Sequence, residues 1–576
     1  MMVVLMKKWI FDNFLFNPMK FNKPQRPFRV FAILISISLC FSSSYAQQGI
    51  KAEKLFEQQC SACHNFKIDG IGPQLGGLAE LRDNAYVLGM ITDAQVLIDK
   101  GNPRSLSLKK KFGTTMPSFS HLSEKERKLL AEYILAQPAP PSFSSKYGKA
   151  IENPIPKKIE LSDLVLNLEL FTTIPPSGDE RHATRIALMN VHPVSNESYI
   201  ADLRGKLYRL KGKTPELYLD VASYFPDFID KPGLATGFGG FTFHPEFAEN
   251  GLLYTTHTEA PGSAPADFNY SDSIKVTVQW VLSEWKVKDE STVPVEARPR
   301  ELFRIDMVTG MHGVQEIAFN PLATKGEEDY GLLYVALGDG GAVEMGYPFI
   351  PHNKNGIWGS LLRIDPTGRN SENGKYGIPE TNPFDGSDYR PEVYALGFRN
   401  PHRFSWTQSG KLLVTNIGQK QIESVNLVKP GYDFGWPYRE GRYRIDEVGD
   451  INEVYPLPAN ETEGMYNVPV IEIDHDEMGA ISTALEYTGK NIPSLKGKYL
   501  FTSISQTRQF YVEEKEIQEG HLAEVKEFRV ALDGKIVTFN ELTKNPGRAD
   551  LRMGKDAKGE IYFFTKPDGK VYKVVP

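Results

Sequence analysis

Cysteine is almost missing: the 576-residue chain has three. That excludes the disulfide framework that holds small secreted domains together, and leaves each cysteine either incidental or committed to one task. Glycine and proline are plentiful, 49 and 39, but have no period, which excludes a collagen or a long coiled coil and points to many turns between short elements. With 41% apolar, 24% charged and 11% aromatic residues, the chain is neither wholly disordered nor a multi-spanning membrane protein. At roughly 100 to 200 residues per domain, its length calls for at least two cores.

Basic residues Lys20, Lys23, Arg26 and Arg29 precede the apolar run Val30 to Phe41, and Ser44-Tyr45-Ala46 offers small residues at the two positions a signal peptidase reads. The pattern predicts an export signal over residues 1–46, cut after Ala46, with the start at Met1 or Met19. It implies a periplasmic or otherwise exported protein with no stable membrane span after cleavage. Cys40 follows Leu39, where a lipid-attachment site wants a small residue, so Cys40 is expected to leave with the signal. The segment carries six basic residues and one acid, so the rest of the chain has a net charge of −11, against −6 for the whole. An acidic exported chain is a poor nucleic-acid binder.

The other two cysteines stand in Cys60-Ser61-Ala62-Cys63-His64. This spacing lets two thiols on one helical turn form thioethers with a haem while the adjacent imidazole reaches the iron. Gly70-Ile71-Gly72-Pro73 supplies a turn whose backbone can lie near the macrocycle, and Met116 is the natural sixth ligand. Beyond it, Ser123 opens a capping box and Leu129, Leu130, Tyr133 and Ile134 recur at helical spacing, predicting a closing helix over Ser123 to Ala136. Residues 50–137 resemble a small class I cytochrome c, an all-α domain. The resemblance implies one covalent haem c whose His64/Met116 ligation suits electron transfer. The Pro- and Ser-rich stretch that follows makes 138–159 a linker.

Residues 160–576 alternate short strand-like runs with Gly, Pro, Asn and Asp: Lys206 to Leu210, Gly251 to His257, Gly331 to Gly338, Leu412 to Asn416, Lys498 to Ile504 and Glu560 to Lys566. Composition leaves a propeller and a pair of β-sandwiches both open. The choice comes from five motifs, taken in order: Gly237 to Phe247 (GFGGFTFHPEF), Leu333 to Gly341 (LYVALGDGG), Leu361 to Pro366 (LLRIDP), Gly397 to Pro401 (GFRNP) and Phe434 to Pro437 (FGWP). Together they resemble the soluble glucose/sorbosone dehydrogenases. That resemblance implies an all-β six-bladed β-propeller using pyrroloquinoline quinone (PQQ) with Ca2+.

It also implies roles. His312 would be the catalytic base, Asp339 the acid that orients it, and Arg399 the cation beside the quinone oxygens, with Asn400 next to the cofactor. The Gly418-Gln419 backbone would hold calcium and Glu423 would face the substrate. Chemically, an alcohol oxidation needs a proton acceptor, a hydride acceptor and positive charge where negative charge develops. The chain departs from the family where Thr502-Ser503-Ile504-Ser505 has no lysine and where Arg548 and Arg552 are differently spaced; Arg508 and Arg552 are the candidates to compensate. Two functions follow. One is a quinoprotein that oxidises an aldose or related alcohol and passes electrons through its haem to an external acceptor such as another cytochrome. The other is a non-catalytic propeller that binds a protein or glycan, fused to an electron-transfer cytochrome.

Overall fold

The computed structural model describes residues 51–576 apart from 62, 71, 113–114, 141–144, 179–182, 232–234, 272 and 544–548. The expected export signal, its cleavage site, Cys40 and Arg548 lie outside the described residues. The chain divides at Lys54 into two units; residues 51–54 of the first are helical, and Leu55–Pro576 form the second.

Within residues 55–135 the main elements are the helices Asn84–Asp99, Pro103–Phe112 and Glu124–Leu135. Local chemistry sets their ends. The Asp83 side chain accepts the Tyr86 N–H, and Ser123 and Glu126 satisfy each other's backbone N–H groups in the expected capping box. Phe56, Val87, Ile91, Phe119, Leu130 and Ile134 are buried together. Each contributes about 1.5–3 kcal/mol by leaving water.

Four separate four-stranded antiparallel sheets follow. They run from Ile186–Val191 to Thr214–Asp220, from Phe238–Phe243 to Ala297–Met307, from Val314–Phe319 to Val393–Leu396 and from Pro401–Trp406 to Ile471–Asp474. A small three-stranded sheet joins Arg439–Glu440, Tyr443–Ile445 and Val454–Tyr455, and a nine-stranded sheet holds the rest. Its strands Ile481–Glu486 to Lys526–Leu532 form one antiparallel run, and Leu551–Lys555, Ile561–Thr565 and Lys570–Val575 another. Between them lies Glu160–Thr173, parallel to Lys526–Leu532 and antiparallel to Lys570–Val575.

The first strand of each antiparallel set packs against the first strand of the next, and Leu551–Lys555 packs against Ile186–Val191, so the innermost strands form a closed circuit. The cores lie between neighbouring sheets: Trp280, Leu282 and Ile305 of one pack with Ile317, Val335 and Leu362 of the next. Covered on both faces, Leu333–Leu337 is buried at every position. Arg403, fully enclosed, ties the circuit across its middle by donating to the carbonyls of Gln315 and of Ala187, the latter at 3.0 Å. Each strand expected from the sequence is present within two residues of its expected ends. Part of the expected linker is bound to the β region: the Ile151 N–H donates to Val454 O at 2.9 Å, and Tyr443 Oη donates to Pro154 O at 2.7 Å.

Candidate functional site

In the helical region, Cys60, Cys63, His64 and Met116 line one cleft with Leu75, Val87, Ile91 and Phe112. His64 Nδ1 lies 2.7 Å from the Pro73 carbonyl oxygen, which leaves Nε2 for a metal ion. Burial lowers the His64 pKa and so favours the neutral imidazole that ligates iron. Burial also pushes the Cys60 thiol up to about 12. Gly72 has to be glycine: a Cβ there would stand 2.3 Å from His64 Cε1. An apolar cleft with two thiols, a neutral imidazole and a thioether on its walls fits a covalently held haem.

In the β region, three of the expected site residues come together just beyond strand ends: His312 before Val314–Phe319, Asp339 after Leu333–Leu337 and Arg399 before Pro401–Trp406. His312 Nδ1 is 2.7 Å from Asp339 Oδ1, and both residues are buried. Burial alone would push the Asp339 carboxyl up; the charge and hydrogen bond of His312, the charge of Arg399 and the Gly341 N–H together hold it below the usual carboxylate range. The Asp339 N–H donates to Arg399 O at 2.8 Å, which fixes the arginine beside the pair. His312 sits in the left-handed region at φ 50°, a strained conformation for a residue with a Cβ. Its carbonyl oxygen would be 2.3 Å from a Cβ at position 338, so only Gly338 fits opposite it.

Arg399 donates through Nε to Gln419 Oε1 at 2.8 Å and through Nη2 to Glu344 Oε1 at 2.5 Å. Its guanidinium lies 5.8 Å from the centre of the Trp436 ring. Trp436 Nε1 in turn donates to Asp339 Oδ2 at 2.9 Å. Sequence reasoning quoted Trp436 within a motif without giving it a role, and it missed Glu344, which stands in a loop with no periodic signal. It also missed His402. This side chain is buried with a partner on neither ring nitrogen, and Asn400 Oδ1 and Thr502 Oγ1 are likewise buried without partners among the described residues. Burial lowers the His402 pKa well below normal, helped by the nearby charges of Arg403, Arg552, Lys566 and His312. His402 therefore sits, neutral and without partners on its ring, within reach of the charges of Arg403, Arg552 and Lys566.

Two expectations fare differently. Gly418 and Gln419 sit beside Arg399, and a Cβ at Gly418 would be 1.9 Å from Ile422 O. Among the described residues no group of three or more His, Cys, Asp or Glu side chains is arranged for a metal ion, so calcium would depend on backbone oxygens. Glu423 does not face an opening: it is completely buried, Oε1 bonded to His475 Nε2 at 2.8 Å and Oε2 accepting the Ile481 N–H at 2.7 Å. A carboxylate enclosed inside a sheet, each oxygen already bonded within the protein, is not open to a substrate. Arg508 is spent elsewhere, on Glu477 and Glu527, each at 2.6 Å.

The comparisons agree with this division. A family model described as Glucose / Sorbosone dehydrogenase matches residues 200–573, and one described as Cytochrome C oxidase, cbb3-type, subunit III matches residues 47–134. The HIPL2 protein of Arabidopsis thaliana is 27% identical over 66% of this chain and 59% of its own length. Quinoprotein glucose dehydrogenase B of Acinetobacter calcoaceticus is 26% identical over 48% of this chain and 54% of its own. The chain thus spans a little over half the length of these curated relatives. A solved structure of a glucose dehydrogenase superposes with a TM-score of 0.50 at 17% identity, covering 71% of this chain and 99% of that one, a likeness of fold.

Proposed function

The chain belongs to the glucose/sorbosone dehydrogenase family and carries an N-terminal cytochrome domain; from that premise we propose that it is an exported oxidoreductase. It oxidises an aldose or related alcohol at PQQ on a six-bladed propeller, the four separate sheets and the two halves of the nine-stranded sheet being the blades. Its covalent haem then passes the electrons singly to an external acceptor.

The His312–Asp339 pair beside Arg399 carries the reading. His312 Nε2, the nitrogen not engaged by Asp339, takes the substrate hydroxyl proton, and Asp339 holds the ring and stabilises its charged form. The cationic edge of Arg399 faces developing negative charge. PQQ, when bound, supplies the two-electron acceptor. Its three carboxylates call for several cations and donors. Arg399, Asn400, His402 and Thr502 would hold it, with Arg552 and Lys566 adding charge; the buried, partnerless atoms of Asn400, His402 and Thr502 support the fit. Calcium at the Gly418-Gln419 backbone completes the proposal.

Reconstitution tests it: the haem-loaded protein is supplied with PQQ and Ca2+, and haem absorbance is followed as aldoses are added. Saturable PQQ binding and haem reduction are expected. Neither occurring with any sugar would sink the enzyme. The second reading, a binding propeller, is favoured by the Glu344–Arg399 ion pair, which already occupies the arginine's outward edge.

A further inference from the structure

The haem-bearing loop touches the β region at the charged cluster itself. Asn452 Nδ2 donates to Asp69 O at 2.8 Å, Gln419 Nε2 donates to Asn452 Oδ1 at 3.0 Å, and Gln419 Oε1 accepts from Arg399 at 2.8 Å. A continuous hydrogen-bonded line therefore runs from the loop after Cys63 to the arginine, using residues separated by 383 positions at its outer joint. Independently, Ile68 packs on an apolar cluster that contains Trp436, the side chain that donates to Asp339.

Between these two contacts the Glu344 side chain comes close to the loop backbone. A Cβ at Gly70 would lie 3.1 Å from Cys63 O and 3.5 Å from Glu344 Oε2, the residue paired with Arg399. The loop is stiff, because Gly72 N donates to Cys63 O and Gly70 N donates to Gly72 O, each at 2.9 Å. Cys63 is one of the two residues expected to hold the haem edge. The haem attachment point thus lies one glycine and one carboxylate away from the proposed quinone arginine.

We infer that this seam is a built-in electron-transfer interface: Ile68 and Asn452 are positioning residues that dock the haem edge against the Arg399–Trp436 side of the site. The inference rests on the proposed function. Oxidation of one alcohol CH–OH to a carbonyl releases two protons and two electrons. Each electron converts one ferric haem to ferrous, and an external one-electron acceptor reoxidises the haem between the two transfers, so the balance closes. The seam replaces a diffusing, tethered partner by a fixed one, and Asn452 acts on the rate only through the distance it sets.

Two measurements on the full chain test this. In the haem-loaded, PQQ-free protein, Asn452→Leu should raise amide hydrogen exchange of residues 68–70 by about tenfold, since one seam bond is lost. Unchanged exchange would overturn the positioning role. In the reconstituted protein mixed anaerobically with sugar, Asn452→Leu and Ile68→Ser should each slow haem reduction by about tenfold or more. Ile68→Ser should keep its turnover with a soluble redox dye, as well as its haem spectrum. Haem reduction at the wild-type rate from a loosened seam would refute the route. A wild-type protein with no dye-linked turnover would instead remove the functional reading, and the electron route with it, leaving the docking to be decided by exchange alone.

Discussion

Asp339→Asn probes the charged cluster through its own geometry. Three donors reach the carboxylate: His312 Nδ1 at 2.7 Å and the Gly341 N–H at 2.8 Å on Oδ1, and Trp436 Nε1 at 2.9 Å on Oδ2. An asparagine has one acceptor oxygen. Placed at the Oδ1 position it keeps two of the three bonds, but its NH2 then opposes the buried indole N–H. Leaving that N–H unpaired costs about 1–3 kcal/mol, and weakening the two remaining bonds from charged to neutral costs about 1 kcal/mol more. The expected loss of stability is roughly 2–4 kcal/mol. Trp436→Phe removes the opposing N–H, so the double variant should be less destabilised than the sum of the singles, by about 1–3 kcal/mol. Urea midpoints read by circular dichroism check this. Because the native carboxyl is held below its unfolded value of 3.8, the stability it contributes is full above that pH and is lost as pH falls through the lower native value. The cost of Asp339→Asn should shrink over the same range. Strict additivity of the two variants, within about 0.5 kcal/mol, would refute the bonding scheme. In the enzyme reading, loss of the orienting carboxylate should slow turnover by up to about 10⁴-fold with PQQ binding retained.

Other outcomes follow from neighbouring groups. Glu344→Gln removes the anion on Arg399 and should tighten PQQ binding by about tenfold in a direct titration; unchanged affinity would mean that Glu344 does not compete with the cofactor. Met116→Ala should alter the haem spectrum and lower the haem potential, and a spectrum identical to wild type would reject Met116 as ligand. Burial raises Glu316 from 4.5 to about 7 although Arg403 opposes it. The native state therefore binds a proton that the unfolded chain has released between these pH values, and stability falls as pH rises through the window, by up to roughly 3 kcal/mol. The stability of wild type relative to Glu316→Gln should decline from pH 4.5 to 7; a flat difference would contradict it.

Much of the layout was legible because local rules decide it. The Ser123–Glu126 capping box fixed a helix end, and the short strand-like runs bounded by Gly, Pro, Asn and Asp became strands where expected. The pairing of His312 with Asp339 was legible only through a family resemblance, since 27 residues and a strained backbone separate them. Glu344 and Asn452 left no trace because their roles depend on which loops meet in space. Glu423 misled: the family resemblance put it at the substrate, whereas the fold buries it and engages both its oxygens with His475 and Ile481. His402 looked ordinary because the bonds a buried imidazole fails to make are invisible in a sequence.

The strand Glu160–Thr173 joins Lys526–Leu532 to Lys570–Val575, so the first strand of the β region is held by the last. During synthesis it has no strand to pair with until some 360 further residues have been made, whereas the helical region, with its own core, is complete long before. Haem attachment and ring closure are therefore separable events in time. A chain truncated before Lys526 would lack both strand partners of Glu160–Thr173 and the strand that packs on Ile186–Val191, presenting a finished helical region followed by a β region whose ends cannot meet, and its exposed strand edges would make it a substrate for quality-control proteases.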